Sequence, residues 1–279
     1  DQATPVLPPA DAVVDPKQPG CAYPWKGICG AVVAWKVLQL LQRMFGREND
    51  WQQYLECAAF ATVGDVMELR GENRTIVSLG IRQMHRTENT GLRALILQNR
   101  LEPEQVRAYH IGFVLGPCMN ASGRLDTAKR ALELLLAKRR EEALRLADDL
   151  IELNASRKDL TAKGVTQAVE LVEREGLWQH AVLVVYLPDC HESLAGIIAG
   201  RLRERYYRPV FVLTKADGCV KGSGRSIPTY HMYEGLSRIS DLFLKFGGHA
   251  MAAGLSLEGT RVQEFSERIN AQAALSEID

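Results

Sequence analysis

A strand–helix–strand pattern in the second half of the chain restricts its fold more than any other feature. An apolar run, HAVLVVYL, precedes a helical pattern, ESLAGIIAGRLRERYY, and a second apolar run, PVFVLT. This order and spacing predict a βαβ-type unit, followed by a glycine-rich turn. A helix near residues 230–239, the glycine-dense FGGHAMAAG, a short apolar LSL and a final helix from Arg261 complete the expected α/β domain.

The first half of the chain carries mostly helical patterns. Apolar spacing predicts helices over 30–45, 90–99 and 103–109, whereas the short run CAAFATV fits either a strand or a buried helix. Pro117 interrupts the apolar IGFVLG, so GPCMNASGRL is predicted to be a loop before another helix from Asp126. Residues 139–175 form a long charged amphipathic pattern interrupted only by Gly164, and we place the domain boundary within it.

The composition is that of a globular protein, and 279 residues correspond to about two domains. Lys+Arg and Asp+Glu both number 34, so a polyanionic partner would have to bind a local patch. The chain has no long apolar run and no signal-peptide pattern, which predicts a cytoplasmic protein without membrane contact. The six cysteines form no C-x-x-C pair, which favours free thiols. An Asp start and a proline-rich stretch indicate a segment of a longer chain.

Three segments have compositions that packing alone does not explain, and the first is GDVM at 64–67 with GENR at 71–74. Asp65 is expected where a buried segment ends. An ionised carboxylate fixed at such a point is suited to bind Mg²⁺ or Mn²⁺. The alternative is that Asp65 caps a helix or a turn, which is the more frequent role of an aspartate at this position.

The second segment is NASGR at 120–124. The guanidinium of Arg124 offers a planar fork that matches a phosphate, and the small neighbours let a phosphodiester backbone approach closely. In the alternative interpretation the segment is a turn whose arginine pairs with Asp126 or another nearby carboxylate.

The third segment combines GSGRS at 222–226 with GGHAMAAG at 247–254. Glycines and alanines expose backbone N–H groups that can bind an anionic oxygen, and several side chains supply further donors. These side chains are Ser223, Arg225, Ser226 and His249. Two such loops in one small domain predict a single site, although a glycine cluster taken alone is more often a tight turn or a packing contact.

The other histidines and the basic stretch RLRERYYR give weaker signals. His191, just before a predicted helix, is a candidate to line the site formed by GSGRS and GGHAMAAG. A histidine at a helix start is more often a solvated neighbour of the cap. RLRERYYR fits a solvated helix face better than a nucleic-acid contact. The histidines without a partner at metal-ligand spacing are His85, His110, His180 and His231.

Together and in this order, these segments resemble the DHH phosphoesterase superfamily, most closely the RecJ-type single-strand-specific DNA exonucleases. TVGDVMELRGENR is similar to the family's last core motif, GPCMNASGRL to its asparagine–arginine loop, and GSGRS with FGGHAMAAG to the DHHA1 signature. HESLAGIIAGRLRERYYRPVFVL also resembles the start of the RecJ-type DHHA1 domain. The implied α/β architecture is the C-terminal portion of a DHH domain at 1–138, a long helical connector at 139–178 and a DHHA1 substrate-binding domain at 179–279.

The resemblance also implies a function. Such enzymes hydrolyse phosphodiester bonds with two divalent ions, Mn²⁺ or Mg²⁺, releasing mononucleotides from the 5′ end of single-stranded DNA during DNA repair and recombination. Single-stranded DNA is the implied partner, with a single-strand-binding protein and a helicase as further candidates. Asp65 matches the catalytic metal ligand. The residues implied to bind substrate are Arg74, Asn120, Gly123, Arg124, His191, Ser223, Gly224, Arg225, Ser226, Gly247, Gly248 and His249.

The sequence departs from the family in one respect, because the aspartate-rich first motifs and the Asp-His-His triplet are absent from it. The stretch LPPADAVVDPKQPGCAYPWKGICGAVVAWK resembles the family segment on the C-terminal side of that triplet, so the chain is expected to begin just after it and to stop before an oligonucleotide-binding barrel. One aspartate cannot hold two ions. We therefore expect the parent protein to be an exonuclease and these residues alone to be inactive.

Two alternatives stay open. The chain could belong to the branch of the superfamily that cleaves short oligonucleotides or cyclic dinucleotides, or it could be a non-catalytic nucleic-acid-binding module. In the preferred interpretation, Arg124, Arg225 and His249 contact a single nucleotide chain in a groove between the domains.

Overall fold

The computed structural model describes residues 7–47 and 50–273. The chain divides into two compact units, Asp1–Asn154 (unit 1) and Ala155–Asp279 (unit 2). Within the described residues, no helix combines the length and the apolar character needed to cross a bilayer. The six cysteines are free thiols.

Unit 1 is built from helices that pack closely around two apolar cores. At the contact between its second and third helices, a Cβ on Gly80 would lie 2.3 Å from Ala59 Cβ, so only glycine allows this approach. The helices are α1 (Gly30–Met44), α2 (Leu55–Gly64), α3 (Gly71–Met84), α4 (Thr90–Gln98), α5 (Ala108–His110), α6 (Gly116–Leu125) and α7 (Lys129–Leu136). Short 3₁₀ turns span Asp50–Tyr54 and Pro103–Gln105.

The expected loop at GPCMNASGRL is wrong, because this segment is helix α6. A π-helical turn, Ile111–Leu115, joins α5 to α6 without a break, and Gly116 N donates to Ile111 O. A Cβ on Gly116 would lie 2.6 Å from that oxygen, so the glycine permits the wider turn. Pro117 has no N–H to donate, and the helical run continues through it because the wider π-helical turn precedes it.

Other expectations for unit 1 have mixed outcomes. The run CAAFATV is a helix, α2, and the helices predicted over 30–45 and 90–99 are confirmed as α1 and α4. The helix predicted over 103–109 is wrong, since a 3₁₀ turn, Pro103–Gln105, precedes the short α5 there. The helix expected from Asp126 begins at Lys129.

One long helix, α8 (Arg140–Arg174), contains the division between the units, and Gly164 does not interrupt it. A Cβ on Gly164 would lie 2.6 Å from Ile198 Cδ1, so this glycine provides space for the neighbouring helix of unit 2. The first part of α8 supplies Ala147 and Leu150 to a core of unit 1, and its last part supplies Ala168 and Val172 to a core of unit 2.

Unit 2 is an α/β sheet domain, and the α/β class predicted from the sequence is confirmed. Its sheet has the order β1-β2-β3-β5-β4. Strand β1 (Leu183–Tyr186) pairs in parallel with β2 (Val210–Ala216), and helix α9 (Glu192–Tyr206) connects them, which confirms the βαβ unit. The remaining elements are β3 (Cys219–Arg225), α10 (Met232–Ser237), β4 (Phe243–Gly248), β5 (Ala252–Leu257) and α11 (Val262–Ala271), with 3₁₀ turns at Leu177–Gln179, Ser240–Leu242 and Gly259–Arg261.

Strands β1 and β2 are covered on both faces, which explains their continuous apolar runs. Along β2, Phe211 and Leu213 join one core with Phe265 of α11, whereas Val210 and Val212 join the other core with α9. A tight turn at Asp217 and Gly218 follows β2, as expected, but the glycines of GSGR lie within β3 and not in that turn. FGGHAMAAG likewise is a hairpin of β4 and β5 rather than a single loop.

Candidate phosphate-binding sites

Helices α2 and α6 of unit 1 form the walls of an open cleft of about 560 Å³ that carries four of the predicted site residues. The cleft is lined by Phe60, Ala61, Gly64, Asp65, Gly116, Asn120, Gly123 and Arg124. Asp65 and Arg124 are far apart in the sequence, yet each lies at the carboxyl end of its helix. Three of these lining residues are glycines and carry no side chain.

Asp65 follows the last turn of α2 as its C-terminal cap, and its side chain is exposed. The next residue, Val66, has a φ of 55°, a left-handed conformation that is costly for a β-branched side chain. Val66 is 88% exposed, so burial of its side chain does not compensate for that cost. Backbone strain of this kind is concentrated at functional sites, which is consistent with a constrained position for Asp65.

Arg124 and Asn120 lie one turn apart on α6, and both are exposed. Asp126, the carboxylate considered above as a partner of Arg124, forms an ion pair with Arg130. An exposed guanidinium and an exposed amide on one helix face can donate to the same phosphate.

The GENR segment, by contrast, is largely structural. Asn73 is fully buried, and its amide donates to Gly27 O (2.6 Å) and to Glu68 O (3.0 Å). Glu72 pairs with Lys36. Arg74 is exposed on α3 but does not line the cleft that holds Asp65.

The predicted residues of unit 2 lie mainly at one end of its sheet, and the strand period explains the composition of GSGR. Gly222 and Gly224 face a core, where a Cβ would lie 2.5 Å from Leu213 Cδ2 or 2.6 Å from Phe211 Cε1, respectively. Ser223 and Arg225 therefore point to the opposite face, toward α9. The glycines are required for packing, whereas the alternate positions carry the polar groups.

A glycine on α9 makes room for these two side chains. A Cβ on Gly196 would lie 2.8 Å from Arg225 Nη2 and 3.4 Å from Ser223 Oγ. Arg225 also donates from Nη1 to the backbone oxygen of Gly224 (2.7 Å). Sequence reasoning missed Gly196, although an isolated glycine inside a helical pattern is a signal of close packing.

In the row of paired residues that contains Ser223, the neighbouring two strands, β5 and β4, carry no side chain. Ser223 pairs with Gly254, and Gly254 pairs with Gly247 on β4, so the three residues form one row across β3, β5 and β4. Paired residues share a face of the sheet, and both glycines are exposed. A ligand oxygen can therefore approach the backbone closely beside the Ser223 hydroxyl.

The turn after β4 places His249 near the end of β3. His249 N donates to Ala252 O (2.8 Å), and Ala252 is also the partner of Arg225 in the β3–β5 pairing. Gly248 adopts a φ of 154°, and a Cβ there would lie 2.4 Å from Ala252 O, so only glycine fits. His249 is exposed, and its Nδ1 accepts from Met251 N (3.3 Å).

Two predicted residues have different surroundings. Ser226 is fully buried, its hydroxyl donates to Tyr230 O (2.6 Å), and its N donates to Met251 O (2.9 Å). His191 caps α9 by accepting from Ser193 N, and the adjacent Glu192 pairs with Lys221, at the other end of the β3 segment. From Lys221 to Arg225 the strand extends about 13 Å at roughly 3.3 Å per residue. The ion pair beside His191 is therefore that far along β3 from Arg225.

Buried titratable groups in unit 1 lie outside the cleft. Glu56 is 3% exposed, and burial raises the pKa of its carboxyl although Thr87 Oγ1 donates to it (2.8 Å). Burial also raises the pKa of the Cys57 thiol to about 11, so this thiol stays protonated at neutral pH. Within residues 7–47 and 50–273, no group of three or more His, Cys, Asp or Glu side chains is arranged to hold a metal ion.

Comparisons with known proteins agree with this architecture. Residues 179–275 match the DHHA1 domain family. The single-stranded-DNA-specific exonuclease RecJ of Bacillus subtilis is 38% identical over 279 residues, covering 99% of this chain. A crystal structure of exonuclease RecJ bound to manganese is similar, with a TM-score of 0.82 and 30% identity over 99% of this chain and 71% of that one. The chain belongs to the RecJ family.

The similarity to RecJ proteins covers only part of their length. The chain spans 35% of the B. subtilis RecJ and 49% of the RecJ of Salmonella typhimurium, to which it is 37% identical over 94% of its own length. A crystal structure of RecJ in complex with Mn²⁺ from Thermus thermophilus gives a TM-score of 0.85 at 30% identity, over 96% of this chain and 39% of that one.

Proposed function

We propose that this chain is the phosphate-binding part of a metal-dependent hydrolase that degrades single-stranded DNA from its 5′ end. Its RecJ relatives are single-stranded-DNA-specific exonucleases. The observation that carries the proposal is the cleft of unit 1, which Asp65 lines together with Asn120 and Arg124 although it is distant from both in sequence.

In this cleft Arg124 and Asn120 donate hydrogen bonds to a phosphate group of the strand. The guanidinium fork binds two phosphate oxygens, the amide adds a third donor, and Gly123 lets the sugar–phosphate backbone approach. In unit 2 the hydrogen-bond donors are Ser223, Arg225 and His249. Gly247 leaves the sheet surface open beside them, and Gly224 and Gly248 support them through close packing. Ser226 and His191 act as positioning residues, and Arg74 is a peripheral phosphate contact on α3.

Two divalent ions, Mn²⁺ or Mg²⁺, are part of the proposal for the whole enzyme. RecJ structures have been solved with each of these ions. The described residues do not themselves fit two ions, because the cleft is lined by a single carboxylate, Asp65. We assign Asp65 as one ligand, and we derive no catalytic step from these residues.

Binding and hydrolysis measured on the 279-residue chain test this proposal separately. Fluorescence anisotropy should show a higher affinity for a 5′-phosphorylated single strand than for a duplex of equal length. Addition of Mn²⁺ should not lead to hydrolysis of the strand. Robust Mn²⁺-dependent hydrolysis would show that the ligand set is complete, and equal binding of the duplex would contradict single-strand specificity.

The cellular setting is also a proposal. DNA repair and recombination, a cytoplasmic location, and contacts with a single-strand-binding protein and a helicase fit an exonuclease of this family. That Arg124, Arg225 and His249 contact the same nucleotide chain stays a prediction.

A further inference from the structure

Two large aromatic side chains, Tyr109 and Phe113, lie on the surface of unit 1. They are 64% and 69% exposed. Their rings stack on each other, with centroids 5.1 Å apart and planes inclined by 30°. Exposed, adjacent aromatic rings mark binding surfaces more often than isolated apolar residues do.

Tyr109 and Phe113 are not part of the apolar core of unit 1. The same helical segment packs its opposite side into the core through Ile111 and Leu115, both fully buried. Tyr109 and Phe113 are four positions apart in α5 and the π-helical turn, so one helix face presents both rings to solvent. π-helical turns are rare and occur frequently at functional sites.

The aromatics precede the proposed phosphate-binding residues on one continuous helical run. Asn120 follows Phe113 by seven positions and Arg124 by eleven, and no break separates the π-helical turn from α6. Phe113 and Asn120 are separated by about 10 Å along the axis at 1.5 Å per residue. A Cβ on Gly112 would lie 3.6 Å from Val63 of α2, the helix that ends at Asp65.

We propose that Tyr109 and Phe113 form a stacking platform for unpaired bases of the strand whose phosphates bind at Arg124. This inference rests on the proposed function and adds how the strand is recognised. Aromatic faces stack on any base without reading sequence, whereas in a duplex the base faces are already stacked on each other. Arg107, exposed just before the aromatics, places a cation at the other end of the same run.

The test is abasic scanning of a 5′-phosphorylated single strand with four proteins: wild type, Tyr109→Ala/Phe113→Ala, Phe113→Trp and the control Leu132→Ala, an exposed apolar residue on α7. The double variant should raise Kd about tenfold without changing the salt dependence, because stacking releases no counterions. Phe113→Trp and Leu132→Ala should bind like wild type.

Abasic sites supply the readout that a structural defect would not produce. Wild type should lose affinity when one or two neighbouring bases are removed, and the double variant should not. Equal Kd values with unchanged abasic sensitivity would overturn the platform and leave the phosphate sites intact. Absence of any single-strand preference in wild type would overturn the proposed function itself. If the double variant melts early, Phe113→Leu replaces it, since leucine keeps the apolar volume but cannot stack.

Discussion

The two proposed phosphate-binding regions are built in opposite ways. In unit 1, Asp65 and Arg124 stand on helix ends and are exposed. In unit 2, Ser223 and Arg225 alternate with packed glycines on β3 and lie against Gly196. The difference teaches that side chains in the cleft can be truncated without harm to the fold, whereas the sheet site depends on positions where a single methyl group is too large.

The largest expected effect is on stability at the sheet site. Gly248→Ala forces a Cβ to within 2.4 Å of Ala252 O at a φ of 154°, so it should lower the free energy of unfolding by about 2 kcal/mol. The adjacent Gly247→Ala is the matched control, because a Cβ there has nothing within 4 Å. Urea unfolding measures the free energy of unfolding of both variants. Equal values would contradict the claim that the sheet site depends on positions too tight for a methyl group.

The next largest effect is a loss of single-strand affinity when Gly196, which gives Arg225 its space, is replaced. Gly196→Ala should displace the flexible end of Arg225 and weaken single-strand binding about tenfold. Stability should stay the same or rise by up to about 1 kcal/mol, because alanine favours the helix. Gly200→Ala, one turn later with no atom within 4 Å of its Cβ, gains the same helix propensity and should bind normally. Equal anisotropy curves for the two variants would show that Gly196 does not position Arg225 for binding.

At Val66, the residue after Asp65, a substitution is expected to stabilise the fold. Val66→Gly relieves the left-handed strain at an exposed side chain and should raise the free energy of unfolding by about 1 kcal/mol. Val66→Ala keeps a Cβ and should recover only part of this gain. Chemical denaturation measures both variants, and a loss of stability in Val66→Gly would mean that the valine makes contacts that compensate for its backbone.

The smallest effect is a pH dependence at Glu56. Burial raises its pKa in the folded protein above the ordinary value of 4.5, so the fold holds a proton that the unfolded chain has lost. Stability should therefore fall as pH rises from 4.5 through the raised pKa. Glu56→Gln should flatten this decline, whereas Glu133→Gln on the surface of α7 should not. Parallel stability curves for wild type and Glu56→Gln would contradict the assignment.

The βαβ unit and α1 were predictable because their apolar patterns are long and regular. The NASGR helix was not, since Pro117 indicates a break unless the preceding π-helical turn is known. The glycines of GSGR indicate a turn in sequence, but in the fold they make room for Phe211 and Leu213. Local signals cannot distinguish a glycine needed for its backbone from one needed for its small volume.

Resemblance supplied the candidate residues, but not their surroundings. Nothing in the sequence indicates that Ser226 is buried and bonded to Tyr230 O, or that Gly196 borders Arg225. The grouping of Asp65 with Arg124 depends on the packing of α2 against the run from α5 to α6, which is a tertiary contact.

The salt dependence of single-strand affinity tests the central claim most directly. For wild type, Arg124→Ala, Arg225→Ala and the double variant, the slope of log Kd against log salt concentration is measured with a 5′-phosphorylated strand. Each single variant should weaken binding and reduce the slope by about 0.7, and the double variant by about 1.4, because each lost phosphate contact releases fewer counterions. Wild-type affinity and slope in both single variants would contradict the account.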